Sequence, residues 1–164
     1  MGRANPYFCL MKCKIISVTH KPSDWEKNAL EFYSKQLPRN FNLAFAEVKP
    51  NASKSLSPDA ILKAESIEIL KHINNQSYVI LWDRKGKSIS SKSFAELLQS
   101  TINQAQDLIF VIGGAFGSSE AIFNRSDIVL SASEFTFPHR LFKVLLVEQI
   151  FRATAINRNH PYHK

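Results

Sequence analysis

Apolar residues along this chain fall into short β-branched runs separated by longer stretches with helical spacing. Lys12-Cys-Lys-Ile-Ile-Ser-Val-Thr19 reads as a first strand. Ser23-Asp-Trp-Glu26 has the S-x-x-E form of a capping box and opens a helix that runs to about Leu37, ahead of Pro38. Phe41–Val48 alternates apolar with mostly small or polar residues, as a second strand does. Lys49–Ser57, with Pro50, Asn51, Ser53 and Ser55, is a loop, and Ser57-Pro58-Asp59 starts a helix reaching about Ile73. Tyr78-Val-Ile-Leu-Trp82 and Leu108-Ile-Phe-Val-Ile112 are continuous apolar runs of the kind buried on both faces of a parallel sheet. The first is closed by Asp83–Lys87. Between the two runs, Ser91–Ala105 carries Phe94, Leu97, Leu98 and Ile102 on one helical face. A short helix near Ser119–Asn124, a strand at Ile128–Leu130 and a long helix from about Arg140 to Ile156 complete the chain. Strands alternate with helices throughout, which predicts an α/β fold with a mostly parallel sheet flanked by helices.

At 164 residues the chain has the size of one domain, expected over residues 11–164. Its apolar content of 45% is too high for a disordered protein. No apolar run approaches the roughly 20 residues needed to span a bilayer, so no membrane role is expected. Residues 1–10 carry no clear pattern and read as a flexible N-terminal extension before Met11. Cys9 and Cys13 stand apart from any His or Cys cluster, which leaves no metal site and suits a reduced, cytoplasmic protein. The net charge of +7 favours phosphate-bearing partners and equally suits a well-solvated surface. Its distribution says more. From His139 onward, Arg140, Lys143, Arg152, Arg158 and Lys164 face Glu148 as the only acid.

Three segments could carry chemistry. Gly113-Gly-Ala-Phe-Gly117 follows a buried run, where glycine lets a ligand approach backbone N–H groups closely. It lacks the first glycine of the dinucleotide fingerprint and the Gly-Lys-Ser/Thr of a P-loop, so a plain strand-to-helix turn is the competing reading. Next, Leu130-Ser-Ala-Ser-Glu-Phe-Thr-Phe-Pro-His139 lies between a strand and the longest helix, at the carboxyl edge where α/β proteins bind ligands. Phe135 and Phe137 there either flank a base or, as is commoner for aromatics before a helix, pack into the core. Last, Asn157-Arg-Asn-His-Pro-Tyr-His-Lys164 mixes aromatic and basic side chains suited to stacking on a base and pairing with phosphate, against the ordinary reading of a solvated end. For Glu148 the ordinary reading is a helix ion pair with Arg152 at i, i+4.

Taken in order, Ile112-Gly-Gly-Ala-Phe-Gly117, Ser133-x-x-Thr136-Phe-Pro-His139, Glu148-Gln-Ile-Phe-Arg-Ala153 and His160-Pro-Tyr-His-Lys164 resemble the RlmH family. Its members are bacterial 23S ribosomal RNA pseudouridine N3-methyltransferases of the SPOUT superfamily. The resemblance runs from about Met11 to Lys164 and includes Asp24-Trp25 and Trp82-Asp83 before Gly86-Lys87. It implies an α/β fold with a C-terminal trefoil knot, a homodimer, and S-adenosylmethionine bound among three loops. Carried onto this chain, the cofactor residues are Leu81, Trp82, Gly113, Gly114, Ala132, Ser133, Glu134, Phe135, Thr136 and Phe137. Trp82 stands where family members often carry Leu, and Glu134 occupies a variable loop position. Arg152, His160 and Lys164 are implied for RNA positioning, and Tyr162 and His163 for proton handling. The implied substrate is 23S ribosomal RNA within the ribosome. Two other readings remain open: a catalytically silent knotted RNA-binding or ribosome-assembly module, and a transfer RNA methyltransferase of the same fold.

Overall fold

The computed structural model describes residues 11–162, which form five strands and five helices in strict alternation. The order is β1 (Met11–Val18), α1 (Asp24–Ser34), β2 (Phe41–Val48), α2 (Pro58–Lys71), β3 (Tyr78–Ser88), α3 (Ser91–Asn103), β4 (Leu108–Ile112), α4 (Glu120–Arg125), β5 (Ile128–Ser131) and α5 (His139–Asn157). Residues 1–10, His163 and Lys164 lie outside the described residues, and with them the expected N-terminal extension and two of the expected site residues.

The sheet is parallel throughout, in the order β2-β1-β4-β3-β5. Successive side chains of a strand point to opposite faces, so β4 splits its apolar run between two cores. Leu108, Phe110 and Ile112 join Leu30 of α1, Phe94 and Leu98 of α3, and Val147 and Ile150 of α5. Ile109 and Val111 join Ile69 of α2 and Ile122 of α4. Helices α1, α3 and α5 therefore cover one face, and α2 and α4 the other. Burial on both faces is why β4 and the start of β3 read as unbroken apolar runs.

Three local outcomes differ from the sequence pattern. The first helix ends at Ser34, and Gln36 and Leu37 close a tighter turn by donating three residues back, to Tyr33 and Ser34. Pro38 disfavours helical backbone at the residue before it, which explains the early stop. Ser23 is the N-cap of α1, yet its side chain makes no cap bond. Glu26, the acid of the expected capping box, is fully buried and forms an ion pair with Lys143 of α5, Nζ to Oε1 2.6 Å. Arg140 and Glu47 extend the cluster at 3.8 and 3.5 Å. The charges touch without aligned hydrogen-bond geometry, so this is an electrostatic staple between α1 and α5. Removing one partner of such a buried pair costs about 3–5 kcal/mol.

The third difference concerns β3. Instead of stopping at Trp82 it runs on to Ser88, and both Trp82 and Lys87 pair with Leu130 of β5. Residues 83–86 are thus looped out of the ladder around the end of β5. At Gly86 a Cβ would stand 2.7 Å from Leu130 Cα and N, so no side chain fits where the two backbones meet.

Candidate active site at the carboxyl edge and the C-terminal tail

Trp82 pairs with Ile112 on one side and with Leu130 on the other. The residues that follow these three positions must therefore emerge side by side from the carboxyl edge of the sheet. They are the 83–86 loop, the Gly113–Gly117 turn and the Ala132–Phe137 loop, so two of the expected cofactor segments flank the third at Leu81-Trp82. The glycine turn is closed by the Gly117 N–H donating to Gly114 O at 3.0 Å, with Gly117 at φ +83°. A Cβ on Gly113 would lie 2.6 Å from Ser118 Oγ and 2.7 Å from Gly117 O, and one on Gly114 would lie 2.7 Å from Glu65 Oε2. Backbone and small polar groups, without side-chain bulk, line this part of the edge.

In the third loop, Ser131 Oγ donates to Ser133 O at 3.1 Å, and the Phe135 N–H donates to Ser133 Oγ at 3.0 Å. The amides of Glu134, Thr136 and Phe137 have no hydrogen-bond partner among the described residues. Phe135 is 79% exposed, which leaves the base-flanking reading and removes the core-packing alternative for it; Phe137 is half-buried. Phe116, on the neighbouring glycine turn, is also exposed. The indole of Trp82 takes the opposite course. Its ring packs against Phe142, Phe94 and Phe110 at centroid distances of 5.5, 5.7 and 6.5 Å. The larger side chain is absorbed by the core, and Trp82 meets the loop edge through its backbone.

These residues fit a nucleoside cofactor. Unpaired loop amides are donors for ring nitrogens and hydroxyls, and exposed aromatics offer stacking faces. Ser118 Oγ beside Gly113, and Ser17 Oγ at the end of β1, are buried without hydrogen-bond partners. Buried polar atoms of this kind are uncommon unless a ligand or water completes them.

The C-terminal tail is built differently. Glu148 Oε1 accepts from both Arg152 Nε and Nη2, at 3.0 and 2.6 Å, and from the Tyr162 hydroxyl at 3.1 Å. The Tyr162 ring lies 4.5 Å from that of Phe151 and under the Arg152 guanidinium at 4.9 Å. Gln149 Nε2 donates to Glu148 Oε2, and Ser91 Oγ donates to Gln149 Oε1, which fixes the carboxylate to α3. The helix ion pair expected of Glu148 is present, and it also organises the tail. Partial desolvation and the bond to Glu148 hold the Tyr162 phenol above its ordinary value, and Glu148 raises Arg152 as well. Tyr162 is accordingly a neutral donor at ordinary pH. His160 is exposed and accepts the Tyr162 N–H at Nδ1, 3.3 Å, while its own N–H donates back to Ala155 O.

Within one chain the two groups stand apart. Helix α5 starts at His139, against the Ala132–Phe137 loop, and Arg152 lies 13 residues further along. At 1.5 Å per residue this is about 20 Å. The structure thus brings together the expected cofactor residues at one end of α5, and Arg152, His160 and Tyr162 at the other.

Residues 11–163 match the family model described as "Predicted SPOUT methyltransferase". A relative from Clostridium botulinum is 42% identical, covering 94% of this chain and 100% of its own length. One from Caldicellulosiruptor saccharolyticus is 38% identical over 92% of this chain and 99% of its own. A third, from Methylobacillus flagellatus, is 34% identical over 94% and 99%. Each of the three is named ribosomal RNA large subunit methyltransferase H. The chain belongs to the RlmH family of SPOUT methyltransferases. A solved structure of a methylase family protein from Neisseria gonorrhoeae shares the fold, with a TM-score of 0.53 at 12% identity, over 92% of this chain and 86% of that one.

The carboxyl edge of the sheet is the candidate site. Sequence reasoning missed two contributors there. Glu65 of α2 reads as an ordinary helix-surface charge, yet it is buried against Gly114. Phe116 lay inside the quoted motif, but no sequence signal says whether it faces in or out. Among the described residues no group of three His, Cys, Asp or Glu could hold a metal ion, and no helix is long and apolar enough to cross a membrane.

Proposed function

We propose that this chain is an S-adenosylmethionine-dependent methyltransferase of large-subunit ribosomal RNA, acting at N3 of a pseudouridine in 23S RNA on the assembled ribosome. The observation that carries this reading is the full-length likeness to three ribosomal RNA methyltransferases. It is supported by three adjoining loops fit for a nucleoside and by a basic, aromatic tail fit for RNA. The work is cytoplasmic, where ribosomes are.

The bound cofactor supplies a methyl group already activated on a sulfonium. What the chain adds is placement, worth several powers of ten when the reacting atoms are held in line. The Gly113-Gly114 turn, Leu81-Trp82 and the Ala132–Phe137 loop would hold the cofactor, with the exposed Phe135 ring available to stack on its base. The target nitrogen carries a weakly acidic proton that must leave during attack. Arg152, His160 and Lys164 position the RNA. Tyr162, which donates its hydroxyl proton to Glu148, and His163 are the residues proposed for proton handling.

A separation of about 20 Å along α5 means that one copy does not bring tail and cofactor loops together. The homodimer resolves this. Trp25 and Phe32 of α1 and Leu141 of α5 are exposed on the same side of the sheet, at 51%, 62% and 41%. These side chains are the face proposed for dimerisation, where a two-fold pairing would set the tail of one protomer beside the loops of its partner. The C-terminal trefoil knot belongs to the same proposal and rests on membership in the family.

The test is incubation with ribosomes lacking the modification and with methyl-labelled cofactor. Label in large-subunit RNA is expected. Label in small RNA instead favours the transfer RNA reading, and no calorimetric cofactor binding favours the silent module.

A further inference from the structure

Glu65 sits on α2, on the opposite face of the sheet from the tail, and is only 6% exposed. Its Oε1 accepts the Asn51 N–H at 3.2 Å, which ties the 49–57 loop to the helix. Its Oε2 has no hydrogen-bond partner among the described residues. That free oxygen lies 2.7 Å from where a Gly114 Cβ would be, so it rests directly on the glycine turn. Oε2 is not among the fully buried atoms, so the carboxylate is anchored through Oε1 while its other oxygen stays open at the glycine turn, where an incoming ligand can reach it. The group that completes it best is a cation bearing N–H bonds.

We propose that Glu65 receives the amino-acid arm of the cofactor, with Oε2 accepting from its α-ammonium group. This rests on the cofactor reading above and deepens it. The nucleoside lies among the three loops, and the charged arm crosses the Gly113-Gly114 turn toward α2. Glycine at 114 is then required twice over: it leaves room for the carboxylate and lets the arm pass. Through Asn51 the same carboxylate holds the 49–57 loop against the site. Glu65 is a cofactor-positioning residue and takes no part in proton transfer.

The test compares ligands with and without the arm. Affinities of S-adenosylhomocysteine, which carries the ammonium, and 5′-methylthioadenosine, which lacks the whole arm, are measured by calorimetry on the wild-type chain and on Glu65→Gln. Gln keeps the volume and an acceptor for Asn51 while removing the charge. The expected result is a loss of about ten- to a hundredfold for S-adenosylhomocysteine, as for one charge-assisted bond, with 5′-methylthioadenosine unchanged. Equal losses for both ligands, or no loss for either, would overturn the proposal. Should Glu65→Gln not fold, Glu65→Asp carries the same comparison, since it keeps the charge but retracts it by one methylene. Failure of the wild-type chain to bind either ligand would instead sink the cofactor reading, a separate outcome.

Discussion

The two ends of α5 obey opposite rules. At its start, the Ala132–Phe137 loop has few internal hydrogen bonds, an aromatic ring almost fully in solvent, and buried hydroxyls without partners nearby. At its end, Glu148, Arg152, Phe151 and Tyr162 satisfy one another, and Ser91 and Gln149 anchor them to α3. Buried polar groups without partners cost free energy in the folded chain, and two of them, Ser17 Oγ and Ser118 Oγ, stand at this edge. A self-satisfied cluster carries no such signature and serves as a preset surface. The end proposed for the cofactor is thus left open, and the tail end is held still.

Separate damage to each end tests this contrast. Deleting Asn159–Lys164 should lower methyl transfer by at least about a hundredfold, the scale of lost substrate positioning, while calorimetric affinity for S-adenosylhomocysteine stays at the wild-type value. A parallel fall in affinity would show that the ends are not independent. Gly113→Val drives a side chain into the Gly117 carbonyl and should reduce cofactor affinity by about tenfold or more, leaving the tyrosine absorbance titration of the tail untouched. Glu148→Gln takes the charged partner from Arg152 and Tyr162, and turnover on ribosomes should drop by about tenfold.

A milder effect comes from pH. Folding holds the Tyr162 phenol neutral beyond its ordinary value of 10.0. Tail docking is thus complete below the unfolded value and is lost as pH rises through the folded one. The difference in ultraviolet titration between wild type and Tyr162→Phe should show a midpoint above 10.0; a midpoint below it would mean the Glu148 bond does not persist in solution. The smallest effect is at Cys13, buried in the core with its thiol pushed far up by desolvation. Peptide mapping after alkylation should find Cys13 unmodified in the native protein and modified only after denaturation.

Much of this architecture is readable from residue order, because a sheet buried on both faces has to spell its strands as apolar runs. Ten elements and the parallel arrangement follow from that constraint. The early stop of α1 before Pro38 is local, but the other two exceptions involve groups distant in sequence. Glu26 abandons its cap for Lys143, more than a hundred residues on, and the extension of β3 past Trp82 exists only because β5 lies beside it. The site divides the same way. Glycines and hydroxyls mark the loops locally, whereas Glu65 resembles any helix-surface acid until α2 is laid against Gly114. Burial of a charge is a tertiary fact, and periodicity does not encode it.

Helix α5 also acts as a ruler. Its 19 residues fix both the span and the angle between the two working ends of the molecule. Inserting one residue in its middle would turn everything beyond it by about 100° and advance it by about 1.5 Å. Seven inserted residues would nearly restore the angle, yet push the tail about 10 Å too far. Natural length variation should therefore gather in loops such as 49–57 and spare α5, whose residue count is itself part of the proposed active site.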